Sequence, residues 1–102
     1  MSIEFADSAR RHFAEDRLDE RLVLDAIAHP LWVAMVAPDD SSVAPPADTN
    51  PPTILMVCKR HEGALEDDLI ELLVSMPRPG VMRIFHAMHL SGIWRDYWNT
   101  YR

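Results

Sequence analysis

The side chains best suited to acid/base chemistry are concentrated near the end of the sequence, in RIFHAMHLSGIWRDYW at positions 83 to 98. Histidine exchanges protons near neutral pH, because its unperturbed pKa is about 6.5. Arginine binds phosphate through a planar guanidinium that holds two oxygens at once. A stretch that combines histidines, arginines and aromatic residues is therefore a candidate site for chemistry on a phosphodiester.

Cleavage of RNA without a metal needs a base for the 2′-hydroxyl proton, an acid for the leaving 5′-oxygen and cations beside the phosphorane. We select four candidate catalytic residues of the right types: His86, His12, His89 and Arg83. Four further candidates would bind the substrate: Lys59, Arg60, Arg95 and Tyr97. No cofactor is predicted. The H-x-x-H spacing of His86 and His89 lacks a nearby carboxylate or cysteine pair, so we also predict no metal site.

Each of these residues also has a structural interpretation. His86 lies among apolar residues of a predicted strand, where a histidine is more often a hydrogen-bonded core residue than a catalyst. The aromatic residues of the tail, Trp94, Tyr97 and Trp98, more often seat a helix against a core than stack on bases. Both interpretations stay open at the level of sequence.

Regular strand geometry would place His86 and Arg83 on opposite faces, because side chains alternate along a strand. Arg95 and Tyr97 are two residues apart on a predicted helix and cannot both point to one spot. A site that uses these groups must therefore be assembled from several elements. His12 of the first helix and Lys59 or Arg60 at a strand end would contribute to it.

Composition indicates one globular domain over residues 1–102, with 48% hydrophobic and 25% charged residues. The lone cysteine, Cys58, lies in an apolar run and is interpreted as a buried small hydrophobe, which fits a reducing compartment. No apolar run has the ~18 residues of a membrane span, and the N-terminus lacks the pattern of a signal peptide. We expect a cytoplasmic protein without a membrane partner.

The net charge of −6 is unevenly distributed along the chain. Residues 1–52 hold ten acids and four arginines, whereas residues 53–102 hold six acids and six bases. A uniformly basic surface would have argued for nucleic acid through counterion release. Composition therefore gives no support of its own to RNA binding.

The predicted elements follow the order β α α β β β β α. SIEF is a short strand, Asp7 caps a helix over residues 8–16, and residues 18–30 form a second helix that ends at Pro30. LWVAMVA and PTILMVCKR are strands. Between them, the Pro-rich acidic residues 38–52 form a long surface loop, with five of the eight prolines.

Residues 65–76 fit a helical stripe, and residues 69–76 within them also suit a buried strand. The flanking PRPG resembles a hairpin loop that leads into VMRIFHAM, so we predict two adjacent antiparallel strands. Ser91 caps a final helix. The predicted fold class is α+β, with an antiparallel sheet of about four strands, two N-terminal helices and a C-terminal helix.

Residues 3–30, with a histidine on the first predicted helix and His-Pro at the end of the second, and residues 68–98, with the closing hairpin, resemble small bacterial toxins of the BrnT type within the RelE superfamily. IEFADSARRHFAEDRLDERLVLDAIAHP resembles their opening strand and two helices, and DLIELLVSMPRPGVMRIFHAMHLSGIWRDYW resembles their closing hairpin and terminal helix. The resemblance implies a RelE/BrnT-like fold and the toxin half of a type II toxin–antitoxin pair, a ribonuclease held inactive by a cognate antitoxin. Relatives of this kind are commonly basic, whereas this chain is acidic.

Two other functions fit the same residues. One is a non-catalytic protein-binding module on the same fold, consistent with the net acidity. The other is a homo-oligomeric structural protein, such as a homodimer, in which the aromatic residues of the terminal helix anchor an interface.

Overall fold

The computed structural model describes residues 2–36, 53–65 and 67–101. Their elements, in chain order, are β1 Ser2–Phe5, α1 Asp7–Arg10, α2 Phe13–Asp16, α3 Glu20–Ile27, β2 Pro30–Val36, β3 Thr53–Lys59, β4 Leu69–Arg78, β5 Val81–His89 and α4 Gly92–Tyr101. The predicted α+β class is confirmed. The loop predicted over residues 38–52 lies outside the described residues.

The sheet differs from the prediction in its strand count and in the direction of one strand. It has five strands in the order β1-β5-β4-β3-β2. Three neighbouring pairs are antiparallel, but β1 runs parallel to β5, with Ser2 opposite Val81 and Phe5 opposite Ile84. A local pattern marks a strand without naming its partner, so the pairing of the first strand with the last was not predictable.

The ambiguous segment around residues 69–76 forms strand β4, as predicted. Its hairpin with β5 turns at Pro79 and Gly80, inside the predicted PRPG loop. Gly80 has φ +79°, in the left-handed region that favours glycine. Glycine therefore allows the tight reversal that joins the two longest strands.

The predicted first helix is divided into α1 and α2, because His12 leaves helical geometry at φ −102°, ψ 5°. Asp7 is the first residue of α1 and not its cap, which is Ala6. The second predicted helix is confirmed as α3, although it is shorter than expected. Asp19 caps α3 by accepting a 2.7 Å hydrogen bond from the amide of Leu22.

Apolar side chains fill both faces of the sheet. One cluster joins α3 to β3, β4 and β5 and includes Val23, Ala26 and Ile70. The other lies beneath α4, where Trp94 and Trp98 pack over the opposite face. Cys58 is fully buried, as predicted. None of the helices in the described ranges is long and apolar enough to cross a lipid bilayer.

Candidate functional site

Strand β5, which carries His86, is irregular at Phe85. Leu73 of β4 lies opposite His86, whereas the next residue, Val74, lies opposite Ile84, so Phe85 is an extra residue in β5. Such a bulge reverses the alternation of side chains beyond it. The expectation that His86 and Arg83 point to opposite faces is therefore wrong.

The two residues share one face because of their partners on β4. Arg83 lies opposite Ser75 and His86 lies opposite Leu73, and these two partners are two residues apart on a regular strand. Leu73 belongs to the apolar cluster beneath α4. The bulge thus brings both candidate residues to the face that α4 covers.

A buried carboxylate holds His86 in place. Glu71 of β4 is only 1% exposed, and its Oε2 lies 2.6 Å from Nε2 of His86. Its other oxygen, Oε1, accepts a 2.6 Å hydrogen bond from the backbone amide of Ser91, immediately before α4. An ionised carboxylate can only accept, so this geometry fits the His86 tautomer with its hydrogen on Nε2, in which Nδ1 is the acceptor nitrogen.

Sequence reasoning missed Glu71, although a signal was present. It stands alone among apolar residues in LIELLV, and a charged residue is almost never fully buried unless it is paired. A lone acid inside a predicted core strand therefore predicts a hydrogen-bonding or ion-pairing side chain close to it. His86, on the adjacent predicted strand, was the obvious one to test.

His12 lies beside His86 because α1 and α2 run along the part of β5 that β1 leaves uncovered. The hydroxyl of Ser8 donates a 2.6 Å bond to the carbonyl of Phe85, and the amide of His89 donates a 3.0 Å bond to Asp16. The rings of His12 and His86 lie 6.4 Å apart between centroids, at an angle of 69°. The structure therefore brings together two of the four catalytic candidates.

Both imidazoles are partly open to solvent. The His86 side chain is 25% exposed, and Nδ1 of His12 lies 3.4 Å from the carboxylate of Glu15. His86 is thus neither sealed in the core nor free to rotate. Such a half-buried, oriented imidazole suits proton transfer to a bound ligand.

His89 points to the opposite side of the sheet from His86. Its partner on β4 is Ile70, which belongs to the cluster beneath α3. There it lines a hollow of about 340 Å³ together with Arg60. Arg60 donates hydrogen bonds to the carboxylate of Asp68 at 3.0 Å and to the carbonyl of Arg17 at 3.1 Å. His89 and Arg60 therefore line the same hollow, which His86 does not.

Lys59 and Arg60 line a second, wider hollow of about 870 Å³ between α3 and the start of β2. Its other charged and titratable lining residues are of both signs: Asp19, Arg21, Asp25, His29, His61 and Glu62. The mixture gives this hollow no marked preference for an anion such as phosphate. The structure thus places Lys59 and Arg60, two of the four predicted substrate-binding residues, in hollows that neither His86 nor His12 lines.

The remaining candidates lie on the α4 side of the sheet. Arg83 is exposed, and it makes no hydrogen bond or ion pair among the residues that the structure describes. Arg95 is half-buried one turn after Ser91, whose carbonyl accepts a 2.9 Å bond from its amide. Tyr97 packs against the rings of Trp94 and Trp32, at 5.6 and 6.2 Å between centroids.

The described residues contain no group of three or more histidine, cysteine or acidic side chains able to hold a metal ion. Burial raises the pKa of the Cys58 thiol to about 12, so this residue is not a ready nucleophile. The acid/base candidates that the structure brings together are the two imidazoles and the carboxylate behind one of them. Comparisons with protein-family models, curated proteins and solved structures give no significant match.

Proposed function

We propose that the chain is a metal-independent ribonuclease, the toxin of a type II toxin–antitoxin pair, and that His86 and His12 carry its chemistry. The observation that supports this most directly is the pair of partly exposed imidazoles 6.4 Å apart, one of them fixed by a buried carboxylate. The resemblance of the two ends of the sequence to BrnT-type toxins supports the biological role.

In the proposed reaction, Nδ1 of His86 takes the proton of a 2′-hydroxyl as that oxygen attacks the adjacent phosphorus. His12 in its protonated form gives a proton to the 5′-oxygen as the P–O5′ bond breaks. The products are a 2′,3′-cyclic phosphate and a 5′-hydroxyl end. Two rings this close can both reach one phosphodiester, since each needs only a hydrogen bond of about 3 Å.

Arg83 supplies the positive charge in this proposal. It shares the sheet face of His86 and is exposed, so its guanidinium is available to the phosphate. The net charge of −6 weakens non-specific attraction to RNA, which places more of the binding on such local contacts. A cognate antitoxin that covered the two histidines would block the reaction.

The test is cleavage of RNA by the purified protein in the presence of a metal chelator. We expect 5′-hydroxyl ends, and rates about 10²–10⁴-fold lower for His86→Ala and His12→Ala. His61→Ala is the matched control, because this exposed histidine pairs with Asp68 elsewhere. Intact RNA with the parent protein, or cleavage unchanged in a folded His86→Ala variant, would refute the proposal.

The alternative is a non-catalytic protein-binding module, favoured by the net acidity. In that case the Glu71–His86 pair only ties the start of α4 to the sheet. The expected result is a tight complex with the product of a neighbouring gene and no RNA cleavage by any variant. Capture of no partner, together with RNA cleavage, would exclude it.

A further inference from the structure

We propose that the chain pairs with a second copy of itself along the outer edge of β2, so that one sheet continues through two protomers. This inference is independent of the proposed ribonuclease activity. It concerns the opposite edge of the sheet from β1 and β5.

Strand β2 is an edge strand with little protection. Within the described part of the chain its only strand neighbour is β3, so its other side presents backbone N–H and C=O groups. Edge strands usually carry charges, prolines or bulges that discourage pairing. PLWVAMV has no charge, and its only such features are Pro30 and the register shift between Pro30 and Trp32, which leave Trp32 to Val36 regular.

An exposed apolar stripe follows β2 through Leu31, Val33 and Met35, of which Leu31 lies at the register shift between Pro30 and Trp32. Met35 is 67% exposed. The stripe lies on the α3 side of the sheet, since Val33 is opposite Met56, a member of the cluster beneath α3. Helix α3 packs mainly on β3, so Val33 and Met35 stay exposed, whereas Leu31 shares a hollow with α3.

A second copy fits this edge because the edge is self-complementary. Antiparallel pairing about a two-fold axis perpendicular to the sheet keeps the same face of both copies on one side. With the axis at Val33, the middle of β2, Val33 meets its own copy, and Met35 meets the irregular segment around Leu31. The stripe then faces the same apolar stripe of the second copy.

Charge also favours this edge for self-association. Two chains of net charge −6 repel each other on average. Because β2 contains no charged residue, pairing along it places no two carboxylates of these strands opposite each other. The edge is therefore where two acidic copies can approach closely.

The first experiment is light scattering over a concentration series. We expect a dimer whose dissociation constant rises at least about tenfold, the equivalent of ~1.4 kcal/mol, in Val33→Lys, because the axis puts the two new charges opposite each other. Ile93→Lys is the matched control, since Ile93 is 62% exposed on α4. A monomer at all concentrations, or a dimer disrupted only by Ile93→Lys, would overturn the proposal.

The second experiment tests the position of the axis by oxidation of Val33→Cys. Directly opposite residues have Cβ atoms about 5 Å apart, within reach of a disulfide. Met35→Cys is the control, because its two copies would be separated by four residues, roughly 13 Å. Cys58 does not compete, since burial raises its thiol pKa to about 12. Equal cross-linking of both variants, or of neither, would contradict the pairing.

Discussion

Replacement of Glu71 by glutamine tests the centre of the candidate site without changing its shape. The carboxylate accepts one hydrogen bond from His86 and one from the amide of Ser91, both at 2.6 Å. A glutamine offers one oxygen and one NH2 group in their place. Its oxygen can accept from Ser91, but its NH2 group must donate to Nε2 of His86. The imidazole hydrogen therefore moves to Nδ1.

The expected loss of stability follows from the two bonds. A hydrogen bond to a charged group contributes about 1.5–3 kcal/mol, and a neutral one about 0.5–1.5 kcal/mol. Each bond is thus weakened by about 1 kcal/mol, and Glu71→Gln lowers the free energy of unfolding by about 2 kcal/mol. This loss of about 2 kcal/mol is expected because residue 71 is only 1% exposed, so water cannot compensate for the two weaker hydrogen bonds.

Urea unfolding measures this loss, and Glu4→Gln is the matched control. Glu4 forms a 3.1 Å ion pair with Arg78 at the surface, so the same substitution there costs at most about 1 kcal/mol. Nitrogen NMR of the His86 ring provides an independent measurement. We expect the hydrogen on Nε2 in the parent protein and on Nδ1 in Glu71→Gln.

The outcome that would refute this reasoning is specific. If Glu71→Gln were no less stable than Glu4→Gln, the carboxylate would not be held by two donors in a dry environment. If the His86 tautomer did not change, the 2.6 Å contact would not be a hydrogen bond from Nε2. Either result would remove the orientation on which the proposed proton transfer depends.

Two further predictions concern other parts of the fold. Asp19→Ala removes the cap of α3, and we expect urea unfolding to show a free energy of unfolding about 1 kcal/mol lower. Asp19→Asn keeps an acceptor oxygen and should retain most of the stability. Equal losses in the two variants would contradict the cap. Burial raises the pKa of Cys58 from 9.0 to about 12. Between pH 9.0 and about 12 the unfolded state therefore loses a proton that the folded state keeps, so the free energy of unfolding falls as the pH rises. The free energy of unfolding should fall by at most about 1.4 kcal/mol per pH unit in the parent protein and less steeply in Cys58→Ala. Equal slopes in the two proteins would contradict the raised pKa.

The sequence was most informative where a pattern has a local cause. Alternating or continuous apolar runs predicted β2 to β5, and the PRPG segment predicted the hairpin whose Gly80 has a positive φ. It was least informative where the partner is distant. The parallel pairing of β1 with β5 depends on residues about 80 positions apart, which no local window contains.

The candidate site shows the same limit. His86 and His12 were selected by residue type, and the structure brings them together. Their proximity depends on the break at His12 and on the extra residue Phe85, neither of which has a proline or glycine to mark it. Glu71 was the exception, since an isolated acid in an apolar strand was visible in the sequence.

The parallel pair of β1 and β5 also constrains the order in which the sheet is completed. Strand β1 is synthesised before every other strand of the sheet, yet its register partners are Val81 to Ile84 of the last one. Closing so long a loop carries an entropic cost that hairpins such as β4–β5 avoid. Strand β1 is therefore among the last strands to pair, because a nascent chain can form this parallel edge only after its final hairpin has been synthesised.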